Sequence, residues 1–152
     1  MLLIKVILVL SLSLIFYQDL KARMVYWFLF PVLGICSALL FYNNTLPELF
    51  YVSVVMNSVF VIILLLAVYT YSKVKLKTPF NSAFGLGDVL LFVGLIFSFS
   101  TISFLVVFVF SLLFALTLHL VVKQYSKFET VPLAGYISLF FGISYFFQWT
   151  GI

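Results

Sequence analysis

Long apolar runs separated by short polar breaks constrain this chain more than any other feature of its sequence. Of its 152 residues, 66% are hydrophobic and only 8% are charged, whereas a soluble domain carries roughly 25% charged residues. A surface this apolar is solvated by lipid rather than by water, and helices of about 20 residues cross the hydrocarbon core of a bilayer. The sequence therefore predicts an all-α, polytopic membrane protein.

The apolar runs divide into about six transmembrane helices within a single membrane-embedded domain, residues 1–152. A cluster of serine and threonine at 98–103 is the predicted turn that splits the longest run into two spans. Residues 1–16 have Lys5 ahead of an apolar stretch, as a signal peptide does, but no small-residue cleavage site follows, so we expect a retained first helix. The predicted spans are Leu2–Tyr17 with an extension to Asp19, Tyr26–Tyr42, Leu49–Tyr71, 86–99, 102–122 and Val131–Trp149.

The positive charges indicate an orientation in the membrane. Seven of the eight Lys and Arg residues fall in the first, third and fifth predicted loops, and the second and fourth loops contain none. The positive-inside rule places the three basic loops in the cytoplasm, so both termini are expected outside it. Lys5 is the exception, and it lies close enough to the end of its span to snorkel. We interpret these charges as topology signals and contacts with the lipid bilayer. No nucleic-acid partner is expected.

Two of the four acidic residues are placed unlike the others. Glu48 and Glu129 fall in predicted loops and are interpreted as solvated surface charges. Asp19 ends the first predicted helix and Asp88 begins the fourth, so two helices of opposite direction bring both carboxyl groups to the cytoplasmic face. Because acids near hydrocarbon are costly to keep charged, a functional role for this pair is the default hypothesis.

Spacing alone supports a structural role for the two aspartates about as well as a functional role. Asp88 suits an N-cap, where its side chain would accept a hydrogen bond from a free backbone N–H group. Asp19 could pair with Arg23 four residues on, an interaction of a few tenths of a kcal/mol. Gly85 and Gly87 shift the balance towards function, because residues without a Cβ let another helix or chain approach Asp88 closely.

Two carboxyl groups at one membrane face suit the hydrolysis of a peptide bond. Like charges about 3 Å apart do not both ionise, so one carboxyl group stays protonated beside its charged partner. The charged group takes a proton from a water held between them, and the protonated group polarises the scissile carbonyl. Helix dipoles favour Asp88, at a helix N-terminus, as the charged member and Asp19, at a C-terminus, as the proton holder.

Other chemistries have less support in the sequence. His119 has no acid nearby in sequence and is interpreted as a packing residue, and Cys36 is interpreted as a small core residue within an apolar run. No phosphate-binding glycine loop or spacing of metal ligands is evident, so no metal and no cofactor are expected. Two alternatives to an enzyme stay open: a non-enzymatic membrane subunit, and a small proton-coupled transporter that uses the acids as a relay.

Three segments, in order along the chain, resemble motifs of the prepilin peptidases, the GxGD-type aspartyl membrane proteases that include the archaeal preflagellin peptidases. The three segments are Asp19-Leu20-Lys21-Ala22-Arg23-Met24-Val25, Gly85-Leu86-Gly87-Asp88 and Val131-Pro132-Leu133-Ala134. The resemblance covers nearly the whole chain and includes the helix count. It implies that Asp19 and Asp88 are catalytic, with Gly85, Gly87 and Arg23 in support.

The resemblance is closest to the short, protease-only branch of the family, so no N-methyltransferase activity is expected. It implies that the chain removes a short basic leader peptide from type IV prepilin-like membrane precursors, at the cytoplasmic side of a prokaryotic inner membrane. The chain departs from the family pattern in having Tyr26-Trp27 in place of Pro-Asn, Leu90 in place of a lysine and Gly135 in place of a second proline. These departures concern contacts with the substrate more than the catalytic pair.

Overall fold

The regular structure of the described residues is entirely helical. The structure, a computed structural model, describes residues 1–76, 85–122 and 131–151. The predicted all-α class is confirmed, and the basic stretches that include Lys77, Lys123 and Lys127, together with Glu129, lie outside the described residues. Within the described ranges, a π-helical turn at Ser72–Leu76 accompanies six α-helices: α1 (Leu2–Ala22), α2 (Leu29–Asn43), α3 (Pro47–Tyr71), α4 (Leu86–Leu95), α5 (Thr101–Val122) and α6 (Leu133–Thr150).

In the described residues, three helical segments are long and apolar enough to cross a membrane, as expected of a membrane protein. They are Leu2–Ala22, Pro47–Val74 and Thr101–Val122. The apolar helices α2 and α4 have 15 and 10 residues, fewer than the roughly 17 that a crossing helix needs. α6 has 18 residues. The six predicted helices are therefore present, and they differ in how much of a bilayer each could span.

The first helix extends further than its apolar pattern indicated. α1 continues to Ala22, and Arg23 ends it in the left-handed conformation with φ of 55°. Asp19 therefore lies about one turn inside the helix rather than at its end. The connection to α2 is tied back onto α1, because the Tyr26 backbone N–H donates to Gln18 Oε1 at 3.0 Å. α2 accordingly begins at Leu29 rather than at Tyr26.

The fourth helix ends early, and buried side chains donate hydrogen bonds to the backbone carbonyl groups beyond its end. Asn57 is fully buried on α3, and its Nδ2 donates to the carbonyl oxygens of Ile96 at 2.9 Å and Phe99 at 3.1 Å. Tyr145 Oη donates to the Ser98 carbonyl at 3.4 Å. Backbone polar groups away from water need partners within the protein, so these bonds allow a break at 96–100. The predicted end of the fourth helix at residue 99 is wrong, because α4 stops at Leu95.

The packing of the helices brings three of their ends together. α6 packs against α1 and α5, α1 also contacts α2, and α2 contacts α4. Gly34 and Gly94 allow α2 and α4 to approach closely, since a Cβ added at Gly94 would lie 3.1 Å from the Phe30 carbonyl oxygen. The C-terminal end of α1 and the N-terminal ends of α4 and α6 thereby meet at one end of the bundle. We call this the aspartate end, after Asp19 and Asp88.

Replacing Asn57 with alanine is expected to lower the free energy of unfolding by about 1–3 kcal/mol, because two buried carbonyl groups lose their donor. The matched control is Asn43→Ala, since the Asn43 amide donates to the Leu39 carbonyl of its own helix at an exposed position. Denaturant unfolding of both variants in detergent measures the difference. Equal effects of the two substitutions would contradict a special role for Asn57 at the helix break.

Candidate active site

Asp19 and Asp88 are brought together from helices that are distant in sequence. Asp19 faces inward from the last turns of α1 and is only 8% exposed, and Asp88 is half-buried in the first turn of α4. The N-cap of α4 is Gly85, so the expectation that Asp88 might be the N-cap is wrong. Asp88 instead accepts a backbone hydrogen bond from Gly85, which is how a residue at the third helical position supports the cap.

Both carboxylates bind the first turn of α6. Ala134 N–H donates to Asp88 Oδ1 at 2.8 Å, and Gly135 N–H donates to Asp19 Oδ2 at 2.6 Å. The N-cap residue of α6, Pro132, makes no side-chain cap bond. The first N–H groups of a helix have no acceptor within that helix. Two acids from α1 and α4 therefore cap α6 from outside.

The shared helix end fixes the two carboxyl groups close to one another. Because they bind consecutive N–H groups, their bound oxygens lie within about 9 Å of each other, and the two acids interact electrostatically. The positive end of the α6 dipole faces both groups and favours negative charge there. The dipoles of α1 and α4 alone predicted different charge states for Asp19 and Asp88, and α6 removes much of that asymmetry.

The two glycines of the second motif meet different surroundings. A Cβ added at Gly85 would lie 3.1 Å from Asp88 Oδ2, closer than a comfortable contact. A Cβ added at Gly87 would first meet Phe30 Cζ, at 3.8 Å, which is an ordinary van der Waals distance. The missing side chain at Gly85 therefore leaves room for the Asp88 carboxyl group, whereas the missing side chain at Gly87 leaves only a small space beside α2.

Gly135 is a site residue that sequence reasoning recorded only as a departure from the family pattern. A Cβ at this position would lie 3.1 Å from Asp19 Oδ2 and 3.3 Å from Asp19 Cβ, with the Phe16 carbonyl oxygen 3.5 Å away. The glycine lets α1 and its carboxylate approach the N-terminus of α6. The sequence did contain an indication of this role. A glycine directly after Val131-Pro132-Leu133-Ala134 lies in the first turn of a predicted helix, where the lack of a Cβ allows another helix to approach closely.

Arg23 lies beside both aspartates. Its backbone N–H donates to the Asp19 carbonyl at 3.2 Å, and the positive charge of its side chain acts on Asp19, Asp88 and Tyr136. The sequence spacing suggested a pairing of Arg23 with Asp19, four residues before it. The charge of the guanidinium acts on both acids, so it offsets part of the negative charge that two carboxyl groups concentrate.

The remaining chemical groups lie elsewhere. Glu48 is exposed in the first turn of α3, at the end of the bundle opposite the aspartates. Cys36 is buried within α2. In the described part of the chain, no three His, Cys, Asp or Glu side chains gather as metal ligands would. Among the described residues, the two aspartates and Arg23 form an interacting group of charges at the aspartate end.

Comparison with known proteins finds no matching family model, no matching curated protein and no matching solved structure. The resemblance to prepilin peptidases therefore depends on the three sequence motifs. In this structure the three motifs lie together. The first supplies Asp19 and Arg23, the second supplies Asp88, and the third supplies the helix end that both carboxylates bind.

Substituting Gly135 with alanine is expected to lower the free energy of unfolding by about 1–3 kcal/mol, because the new methyl group forces α1 away from α6. Gly142→Ala is the matched control on the same helix, where the nearest atom to an added Cβ is Leu12 Cδ1 at 4.0 Å. That control should be neutral or stabilising, since alanine favours a helix by up to about 1 kcal/mol over glycine. Denaturant unfolding in detergent measures both, and equal effects would contradict the close approach.

Proposed function

We propose that this chain is a membrane-edge aspartyl endopeptidase that removes the short basic leader peptide from type IV prepilin-like precursors. The observation that supports this most strongly is the convergence of Asp19 and Asp88 on consecutive N–H groups of α6. Carboxyl groups from two helices thus occupy one partly buried site beside Arg23. The three motifs named from the sequence meet at this point.

In the proposed mechanism the bonds to α6 hold the pair in a fixed orientation. One oxygen of each group, Asp88 Oδ1 and Asp19 Oδ2, is bound to α6. Asp88 also accepts a bond from the Gly85 N–H. In the proposal, the remaining lone pairs of the two carboxyl groups hold a single proton and orient a water. Held close, the two acids do not both ionise readily. The charged one acts as the general base for the attacking water, and the protonated one donates to the scissile carbonyl oxygen. As the tetrahedral intermediate collapses the C–N bond breaks, and the proton taken from water passes to the leaving amine.

The proposed location is the cytoplasmic side of a prokaryotic inner membrane, with both chain termini outside the cytoplasm. The support is the distribution of Lys and Arg in the sequence, because the first, third and fifth predicted loops hold seven of the eight positive charges. A leader peptide would then meet the carboxylates at the membrane surface, while the apolar helix of the precursor stays in lipid.

A second candidate is a non-enzymatic membrane subunit in which the two aspartates only fasten helices together. The same two bonds favour it, because capping α6 is itself a sufficient structural reason to retain both acids. The two candidates differ in what they require of the side chain. Capping needs an oxygen that accepts a hydrogen bond, whereas acid–base catalysis also needs a group that gains and loses a proton.

Substitution of either aspartate by asparagine separates the two candidates. In Asp19→Asn and Asp88→Asn an amide oxygen can still accept from α6, so we expect the unfolding temperature to stay close to that of the parent protein. Cleavage should fall by roughly 10²–10⁴-fold, since proton transfer by a positioned group contributes about that much. The assay incubates purified protein in detergent with candidate prepilin precursors and follows loss of the leader by mass spectrometry.

The matched control is Glu48→Gln, which makes the same chemical change at the exposed acid of α3 and should leave cleavage unaltered. Cleavage that survives both asparagine substitutions would contradict the peptidase proposal. A parent protein that cleaves no precursor, with asparagine variants that stay folded, would instead favour the structural subunit.

A further inference from the structure

A polar pocket lies at the end of the bundle opposite the aspartates. It has a volume of about 590 Å³, within the range of about 300–1,000 Å³ that is usual for ligand sites. Its walls come from the start of α1, the end of α2, the break between α4 and α5 and the end of α6. The polar side chains that line it include Lys5, Asn44, Ser98, Ser103, Tyr145 and Gln148.

The charge of this pocket is positive. Lys5 is the one charged side chain on its wall, and none of the described residues that line it is acidic. The Lys5 ammonium lies 4.8 Å from the centre of the Trp149 ring, which holds it at the rim. α5, a helix of 22 residues, begins at Thr101 on the same wall, and the first N–H groups of a helix attract anions.

One buried hydroxyl, that of Ser98, lies in the wall of the pocket beside the Tyr145 hydroxyl. Ser98 is 4% exposed, and its Oγ makes no hydrogen bond of acceptable geometry with any described residue. The neighbouring Tyr145 hydroxyl is directed to the Ser98 carbonyl instead. Buried polar atoms normally have a partner in the protein or in a bound molecule. The Ser98 Oγ lies within the wall, so the donors available to a ligand in the pocket are those of other lining residues, among them Lys5, Asn44 and Gln148.

We propose that this pocket binds an anionic phosphate group, supplied by a phospholipid headgroup or by free phosphate. A positive charge, hydroxyl and amide donors and a helix N-terminus are together the chemistry that phosphate oxygens accept. The neighbouring Trp149 is of the residue type found at the headgroup level of a bilayer. The proposal is independent of the peptidase activity, because none of its residues belongs to the aspartate end.

The experiment uses the intrinsic fluorescence of Trp149 in full-length protein carrying Trp27→Phe, which leaves one tryptophan. The protein is reconstituted with brominated phosphatidylglycerol or brominated phosphatidylcholine, and the quenching of each gives its relative affinity. We expect phosphatidylglycerol to bind preferentially. Lys5→Gln should reduce that preference by about tenfold, because a charge-assisted bond is lost.

Lys73→Gln is the matched control, since Lys73 also lies over an aromatic ring, that of Tyr69 at 5.8 Å, but at the other end of the bundle. It should leave the preference unchanged. If millimolar inorganic phosphate abolishes the preference, free phosphate is the ligand; if it does not, the lipid headgroup is. Equal quenching by the two lipids with no effect of inorganic phosphate, or an equal loss in Lys5→Gln and Lys73→Gln, would overturn the proposal.

Discussion

The N-terminus of α6 is the element on which the arrangement of the other helices depends. The N–H groups of its first turn have no carbonyl acceptor within the helix, and at the edge of a bilayer such groups need partners within the protein. Asp88 and Asp19 supply them through bonds of 2.8 and 2.6 Å. These two bonds connect α6 to α1 and to α4, so one helix end fixes the relative position of three helices.

The same bonds make the aspartates suitable for chemistry. A carboxyl group that already accepts one backbone hydrogen bond is held in a single orientation, which reduces the reorganisation that a reaction would require. Gly135 and Gly85 are part of this arrangement, because added Cβ atoms would approach Asp19 Oδ2 and Asp88 Oδ2 to 3.1 Å. A site of this kind gives the chain a structural reason and a catalytic reason to retain the same two acids.

Much of the fold could be predicted from the sequence, because apolar periodicity and length determine helices in a membrane. The bounds of α3 and α5 were close, and the pairing of Asp19 with Asp88 followed from the direction of their helices. The early end of α4 could not be predicted, since it depends on the Asn57 side chain, which is 39 residues before Ile96. The role of Gly135 likewise depends on which helix packs against it, and that is a tertiary property.

The charged groups at the two ends of the bundle differ, and the difference relates the aspartate site to the surrounding bilayer. At one end two carboxyl groups share a partly buried site with one arginine. In the pocket at the other end, Lys5 is the charged side chain among the described lining residues. Lys5 looked like an exception to the charge pattern of the loops, and its place over Trp149 gives it a physical reason to be there. A phosphate held by Lys5 would tie the ends of α1 and α6 to the bilayer. Since α1 and α6 also carry Asp19 and the N–H group that binds it, such anchoring would limit how far those two helices can separate.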